Sequence, residues 1–307
     1  MALFNTYAEL ALKNAPTQKV IVNTILNESP IFASIPTQVS STATQNVYQN
    51  VKSITAGGMR PLDAPSNQTK VDMSLARTDL SVIDGEIEIG RDTADIVGKD
   101  ELFGTQAPLI ISATMANVER SIFEDNLRQF AIDNGNYELA GGTANTNSSM
   151  VCIRWGAGVN IGLTSPSVIN DGKSFKFKDL NGGNFYKSTQ SNGDNINVYG
   201  REFRTLFGLQ LANAKQVSLI GNIDTVNDKI PTIKQINNMI LNAQAGGNNS
   251  VIYCNPRVLR AIGYTHKLER LNLFSGDTNL TTEVFHLEGV PVVTSYTLQD
   301  GTEANLS

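Results

Sequence analysis

Apolar residues recur at helical spacing over one long stretch, Pro108 to Asn134. Ile111, Met115, Val118, Ile122 and Phe130 fall at near-heptad intervals with Leu127 beside them. Asn117, Glu119, Asp125 and Arg128 fall elsewhere on the wheel, the pattern of an amphipathic helix with a polar outer face. Pro108 suits a first helical position and Gly135 a helix stop. At about 1.5 Å per residue the predicted helix is roughly 40 Å long, enough to brace a domain.

A different period precedes it. Val47 to Ile54 reads as a strand. In a second run Val71, Met73 and Leu75 alternate with Asp72, Ser74 and Ala76, and Ile87 and Ile89 alternate with Glu86 and Glu88. Between the runs lies a tip of about 14 residues holding Gly57, Gly58, Pro61 and Pro65. The pattern predicts a long hairpin, and an isolated two-stranded ribbon is marginal in water, so this one requires a partner.

Nearer the amino terminus, Val20, Ile21, Ile25 and Leu26 predict a short amphipathic helix over Thr17 to Asn27. Ile31 to Ile35 is a brief apolar patch, and Thr37 to Thr44 a polar, extended linker. Beyond Gly135 an Asn-, Gly- and Thr-rich connection runs to Ser149 and marks a domain boundary. Strands follow at Met150 to Trp155, around Phe175 and Phe177, at Tyr199 to Leu211, Lys215 to Ile220, Val251 to Cys254 and Val290 to Val293. Asn181 to Asn197 reads as a loop and Asn222 to Asp228 as a turn. Ile230 to Ala243 reads as a surface helix, and Asn255 caps a short one that runs through Ile262 and ends at Gly263.

Composition narrows the function. A length of 307 residues with 40% hydrophobic content supports two domains with a sizeable core. A net charge of -5 gives no general attraction to phosphate, which argues against direct DNA recognition. Cys152 and Cys254 each sit in an apolar run, as buried thiols do. No run reaches the roughly 18 apolar residues of a membrane span. Met1 to Leu12 lacks a basic flank and contains Glu9, so an intracellular site of synthesis is expected.

Chemical motifs fall short. Gly156, Gly158 and Gly162 follow a strand but are misspaced for a dinucleotide loop, and Pro166 stands where its helix should run; the stretch reads as a tight turn. Gly172, Lys173 and Ser174 end like a phosphate loop, but Ser167 occupies the position of its first Gly. His266 and His286 are far apart, with no metal-ligand spacing. There is no nucleophile elbow, and Glu86 with Glu88 reads as a solvated strand face. No catalytic residue, cofactor or metal is assigned.

Taken together, the order of elements resembles the major capsid protein of a tailed bacteriophage with the Hong Kong phage-type (Johnson) fold, the group found in short-tailed and related phages. The long helix with Phe130, Gly135 and Asn136 resembles that family's spine helix and its exit. Trp155, Gly156, Gly162 and Pro166 resemble the opening of its axial domain. Tyr199, Phe203, Gly208 and Leu209, then Val217, Ile220, Asn222, Ile223 and Asp224, resemble the strands and turn that follow. Val251, Tyr253, Asn255 and Arg257, and finally Gly289, Val290, Pro291 and Val292, resemble its later steps.

The resemblance implies an α+β fold with an N-terminal arm (1–45), an extended β-hairpin loop (46–90), a peripheral domain (91–139 and 286–307) around a spine helix at 108–134, and an axial domain (140–285). It implies a non-enzymatic virion protein that assembles with itself into hexamers and pentamers of an icosahedral head. Scaffolding, portal and cement proteins are the further partners, and double-stranded DNA is enclosed without sequence-specific binding. In the family the ribbon lies over a neighbouring subunit, which makes Gly57, Gly58, Met59, Arg60, Asp63 and Lys70 the candidate inter-subunit contacts. Some relatives crosslink through Lys and Asn, but no partner for Lys70 is identified. The alternatives are an encapsulin-like nanocompartment shell and a two-domain hydrolase.

Overall fold

The computed structural model describes residues 28–62, 65–143, 147–167, 175–189, 193–246, 249–265, 269–272, 283–298 and 301–306. The helix expected over Thr17 to Asn27, the Gly172 to Ser174 motif and His266 lie outside the described residues.

The long helix is longer than its hydrophobic pattern suggested. After a first helix, α1 (Pro30–Ser34), and a second, α2 (Arg91–Val97), Gly98 turns the chain at φ 109° into α3, Lys99–Ser121. A π-helical stretch, Ile122–Arg128, and a last α segment, Gln129–Asp133, continue it without a break, about 50 Å in all. Pro108 lies well inside α3, so it is not a start. Its missing N–H and its ring both bear on residue 104, four places earlier, which is Gly104 with open space around its Cα.

Phe103, Ala107, Ile111, Met115, Glu119, Phe123, Leu127 and Ala131 are all buried at a strict spacing of four. In an α-helix each four-residue step overshoots a full turn by about 40°. The wider π turn takes part of that drift back, so one stripe faces the core along the whole helix. Glu119, expected on the polar face, falls in this stripe.

Two sheets share the helix. In the first, β1 (Thr37–Val39) pairs in parallel with β7 (Asn160–Thr164), which pairs with β10 (Asn195–Leu211), which pairs with β4 (Ser81–Gly90). The strands β8 (Lys176–Asp179) and β9 (Tyr186–Thr189) flank the other end of β10. Part of the polar linker at Thr37 is therefore a strand, and part of the Asn181 to Asn197 loop is too. Ile83, Ile87 and Ile89 of β4 and Phe203 and Phe207 of β10 belong to the same buried cluster as the long helix.

The second sheet runs in the order β13 (Glu269–Asn272), β14 (Glu283–Leu287), β15 (Val290–Thr294), β12 (Ser250–Cys254), β6 (Ser148–Arg154), β11 (Val217–Ile223), β5 (Tyr137–Leu139). Its central strands are buried on both faces. Val151, Ile153, Leu219 and Tyr253 join the helix core, while Met150, Cys152, Ile220 and Cys254 face α4 (Ile233–Asn242) and α5 (Pro256–Thr265). Thr232 and Gln235 form a capping box at the start of α4, and α5 continues past Gly263. Because β15 pairs with β12, the closing strand lies in the sheet of the 140–285 segment. The tail after it is what returns to the helix.

That return is made by buried carboxylates. Glu119 Oε2 accepts the backbone N–H of Phe32 at 2.9 Å, and its other oxygen accepts the Thr297 hydroxyl, with Ser295 and the Ile31 backbone also bonded to it. Farther along, Glu303 accepts from the Ser149 hydroxyl and pairs with Arg128 at 3.2 Å. Early residues, in α1, and late ones, Ser295, Thr297 and Glu303, are thus tied to the same helix.

Burial raises the Glu119 carboxyl above its ordinary value against the pull of those hydrogen bonds. The folded chain therefore holds this proton more tightly than the unfolded chain. The stability this lends is complete below the ordinary carboxylate pKa of about 4.3 and is lost as pH rises through the higher folded value. Glu303, raised by the same cause, adds a slope of the same sign. Denaturant midpoints at pH 5 and pH 8 should show wild type losing more stability on going to pH 8 than Glu119→Gln loses; equal losses would contradict this account.

Candidate functional site

The ribbon leaves the body as β2 (Gln45–Thr55) and β3 (Lys70–Asp79), paired antiparallel over their length in a sheet of their own. The expected hairpin is correct for these strands. Ile87 and Ile89 belong instead to β4, which Leu80 separates from β3 and which joins the six-stranded sheet. Leu80 is buried in a small cluster with Ile161 and Leu163, and this anchor interrupts the expected continuous strand.

Register sorts the ribbon into two faces. Val47 lies opposite Arg77, Gln49 opposite Leu75 and, past a bulge at Ser53, Ile54 lies opposite Val71. Directly opposed residues share a face, so Val47, Ile54, Val71, Met73 and Leu75 stand on one side. The other side carries Tyr48, Asn50, Asp72, Ser74 and Ala76. The apolar residues stay open: Val47 46%, Ile54 66%, Val71 47%, Met73 51% and Leu75 76% exposed.

At the tip Gly57, Gly58, Met59 and Arg60 are all exposed, as is Lys70 at the start of β3; Asp63 lies outside the described residues. The structure therefore places five of the six candidate contacts on one projecting element. The apolar face was missing from that candidate set, although the alternation of Val71, Met73 and Leu75 signalled it.

The root is built differently. Gly208 of β10 leaves little room for a side chain, since a Cβ there would sit 3.1 Å from Asp79 O and 3.4 Å from Leu80 Cα. On one face of β10, buried Asn46 donates to Gln210 Oε1 at 2.7 Å, and Gln210 donates in turn to Gly158 O at 2.8 Å. On the other, a cleft of about 530 Å³ opens between Thr78, Asp79 and Ser81 and the long helix at Asn117, Ser121 and Asn126. Gly156 and Gly158 form the tight turn expected of them, closed by Gly156 N–H to Asn160 O.

Among the described residues nothing in this region resembles reaction machinery. Burial pushes the Cys152 and Cys254 thiols up to about 12, which keeps them from the reactive thiolate form, and both are free. Glu86 and Glu88 are both exposed, as expected of a solvated strand face, and Glu88 also accepts from Tyr186 and Ser188 at 2.8 and 2.7 Å. Among the described residues no helix is long and apolar enough to cross a membrane.

The sequence pattern of the major capsid protein GP7 family matches residues 129–306, more than half of the chain. The chain belongs to that family. It is therefore a major capsid protein, a structural component of a phage head shell and not an enzyme, and it works by assembling with copies of itself. No curated protein matches this capsid protein by sequence.

Similar solved structures include one from bacteriophage Epsilon15, 14% identical over 87% of each chain with a TM-score of 0.49. Another is the capsid of bacteriophage JBD30, 11% identical over 86% of this chain and 88% of that one, TM-score 0.47. A third, the SrpI encapsulin of Synechococcus elongatus, is 10% identical over 62% and 85%, TM-score 0.41.

Filling the space at the ribbon root should be costly. Gly208→Val is expected to destabilise the subunit by about 1–3 kcal/mol, as overpacked sites do; a chemical-denaturation midpoint no lower than wild type would show that the close approach is not there.

Proposed function

We propose that this capsid protein is the repeating unit of an icosahedral head, arranged as hexamers and pentamers, that encloses double-stranded DNA. The observation that supports this reading is the ribbon with one apolar face that its own chain leaves open. Full burial of a Val, Leu, Ile or Met side chain is worth about 1.5–3 kcal/mol, and roughly half of that is still to be gained where half the surface is already covered. Five such residues on one face give a modest contact, and a closed shell multiplies it through many simultaneous copies.

In this reading the ribbon reaches a neighbouring subunit, and the long helix with its two sheets, into which residues 30–39 of the arm (1–45) are built, forms the wall. Gly57, Gly58, Met59, Arg60, Asp63 and Lys70 contact the adjacent subunit. The tip, with Gly57, Gly58, Pro61 and Pro65, adapts between fivefold and sixfold surroundings. The net charge of -5 suits a wall that encloses DNA without gripping it. Scaffolding, portal and cement proteins are further partners of the assembled head, and the subunit is made in the host cytoplasm.

Placing two charges on the open face tests the reading. Met73→Asp with Leu75→Asp should leave the free subunit's unfolding midpoint within about 0.5 kcal/mol of wild type, as exposed substitutions do, while electron microscopy finds no shells. Normal shells from the double variant would overturn the proposed contact. Nuclease-protected DNA inside native particles supports the head assignment, and protein cargo in its place would turn it to the nanocompartment alternative.

A further inference from the structure

The root of the ribbon is held on one side only. Asn46, 6% exposed, accepts the Ser41 backbone N–H at 3.0 Å and donates to Gln210. Gln210, fully buried, donates to the carbonyls of Gly158 and Val159 at 2.8 and 3.2 Å. The result is a directional chain of amides from the first ribbon strand, through β10, to the turn before β7.

Among the described residues, the opposite side of β10 carries no such tie. There the ribbon's last residues, Thr78 and Asp79, and Ser81 beyond the Leu80 anchor, border the 530 Å³ cleft, whose far rim is Asn117, Ser121 and Asn126. Polar groups thus face polar groups across open space, over a floor that includes Ile122 and Phe207. Gly208, lying against Asp79 and Leu80 with no side chain of its own, is the point where the ribbon crosses the edge of the strand.

We infer that Asn46 and Gln210 are positioning residues of the ribbon, holding its root in one of two seats and so setting the angle at which it reaches the neighbouring subunit. The latched seat is the one described. The second is a tilt about Gly208 into the cleft, where Thr78 and Asp79 exchange water for the amides and hydroxyl of the long helix. A buried amide pair suits this role because it is directional, and because breaking either half leaves a buried donor or acceptor without its partner. An apolar root would hold the ribbon as firmly but would specify no angle.

The inference rests on the ribbon being the inter-subunit contact, yet the latch itself is testable without any shell. Spin labels at Leu75→Cys on the ribbon and Leu109→Cys on the long helix, both exposed positions, report the ribbon angle in the full-length free subunit by pulsed electron resonance. The native thiols are buried and stay unlabelled.

Wild type should give one narrow distance distribution. Gln210→Ala should broaden it at least about twofold or add a second distance, a loss of preference on the order of tenfold for one buried hydrogen bond. The reciprocal exchange Asn46→Gln with Gln210→Asn keeps an amide pair of the same total reach and should restore the narrow distribution, which a merely structural role would not require. Should Gln210→Ala fail to fold, Asn46→Ala carries the same expectation. An unchanged width in the single variants overturns the latch.

Where wild type assembles, Gln210→Ala particles should vary in diameter, and uniform wild-type particles would overturn the link from latch to shell geometry. Wild type forming no shells at all would count against the proposed function and leave the spin-label result to decide the latch.

Discussion

A carboxylate with no access to water sits in the middle of the longest element in this protein, and the arrangement around it depends on its being satisfied. Burying an unpaired charge costs several kcal/mol, and a buried carboxyl that lacks donors is nearly as unwelcome. Glu119 meets that constraint by drawing donors from both ends of the chain, the backbone of Ile31 and Phe32 and the hydroxyls of Ser295 and Thr297. Once α1 is held there, Phe32 packs edge-on against Phe207, 4.8 Å between centroids, and Ser34 meets the Tyr253 hydroxyl at 3.1 Å, itself bonded by the Trp155 indole. Pro36 then hands its carbonyl to Gly162 of β7. A five-residue helix thereby touches the long helix and both sheets.

The ribbon is the counterpart of this closed centre. Its root borrows the order of the body through Leu80, Asn46 and Gly208, while its length carries apolar side chains that its own chain does not cover. Such an element is tolerable in a capsid protein if, as proposed, its partner is another copy. The strength of each contact matters less than its angle, since small errors in angle accumulate around a closed shell while modest energies add up across it. A rigid wall with an adjustable projecting arm meets both demands.

The sequence reports periodicity well and long-range polar pairing poorly. The ribbon strands, the core strands at Met150 and Val251, and the existence of the long helix all follow from spacing alone. Pro108 misled at the helix start because proline is costly inside a helix and is usually found in its first turn, whereas here it lies well inside α3. Glu119 misled because its partners lie 87 and 178 residues away.

The same holds for Asn46, Gln210, Asn160 and Asn222. Nothing local to these amides marks them as buried, yet they are buried and pair across the chain, as Asn222 does with both backbone groups of Leu306. Of the proposed assembly surface, the projecting hairpin was legible from the alternation of Val71, Met73 and Leu75. Its one-sidedness needed the register with β2, which the bulge at Ser53 shifts.

The central claim, that the ribbon's apolar face is left open in the subunit and covered in the shell, is tested most directly by amide hydrogen exchange on free subunits and assembled particles side by side. The account predicts that Lys70–Asp79 exchanges rapidly in the free protein and is strongly protected in particles, with the buried centre around Glu119 slow in both. Equal exchange of that strand in the two states would contradict it.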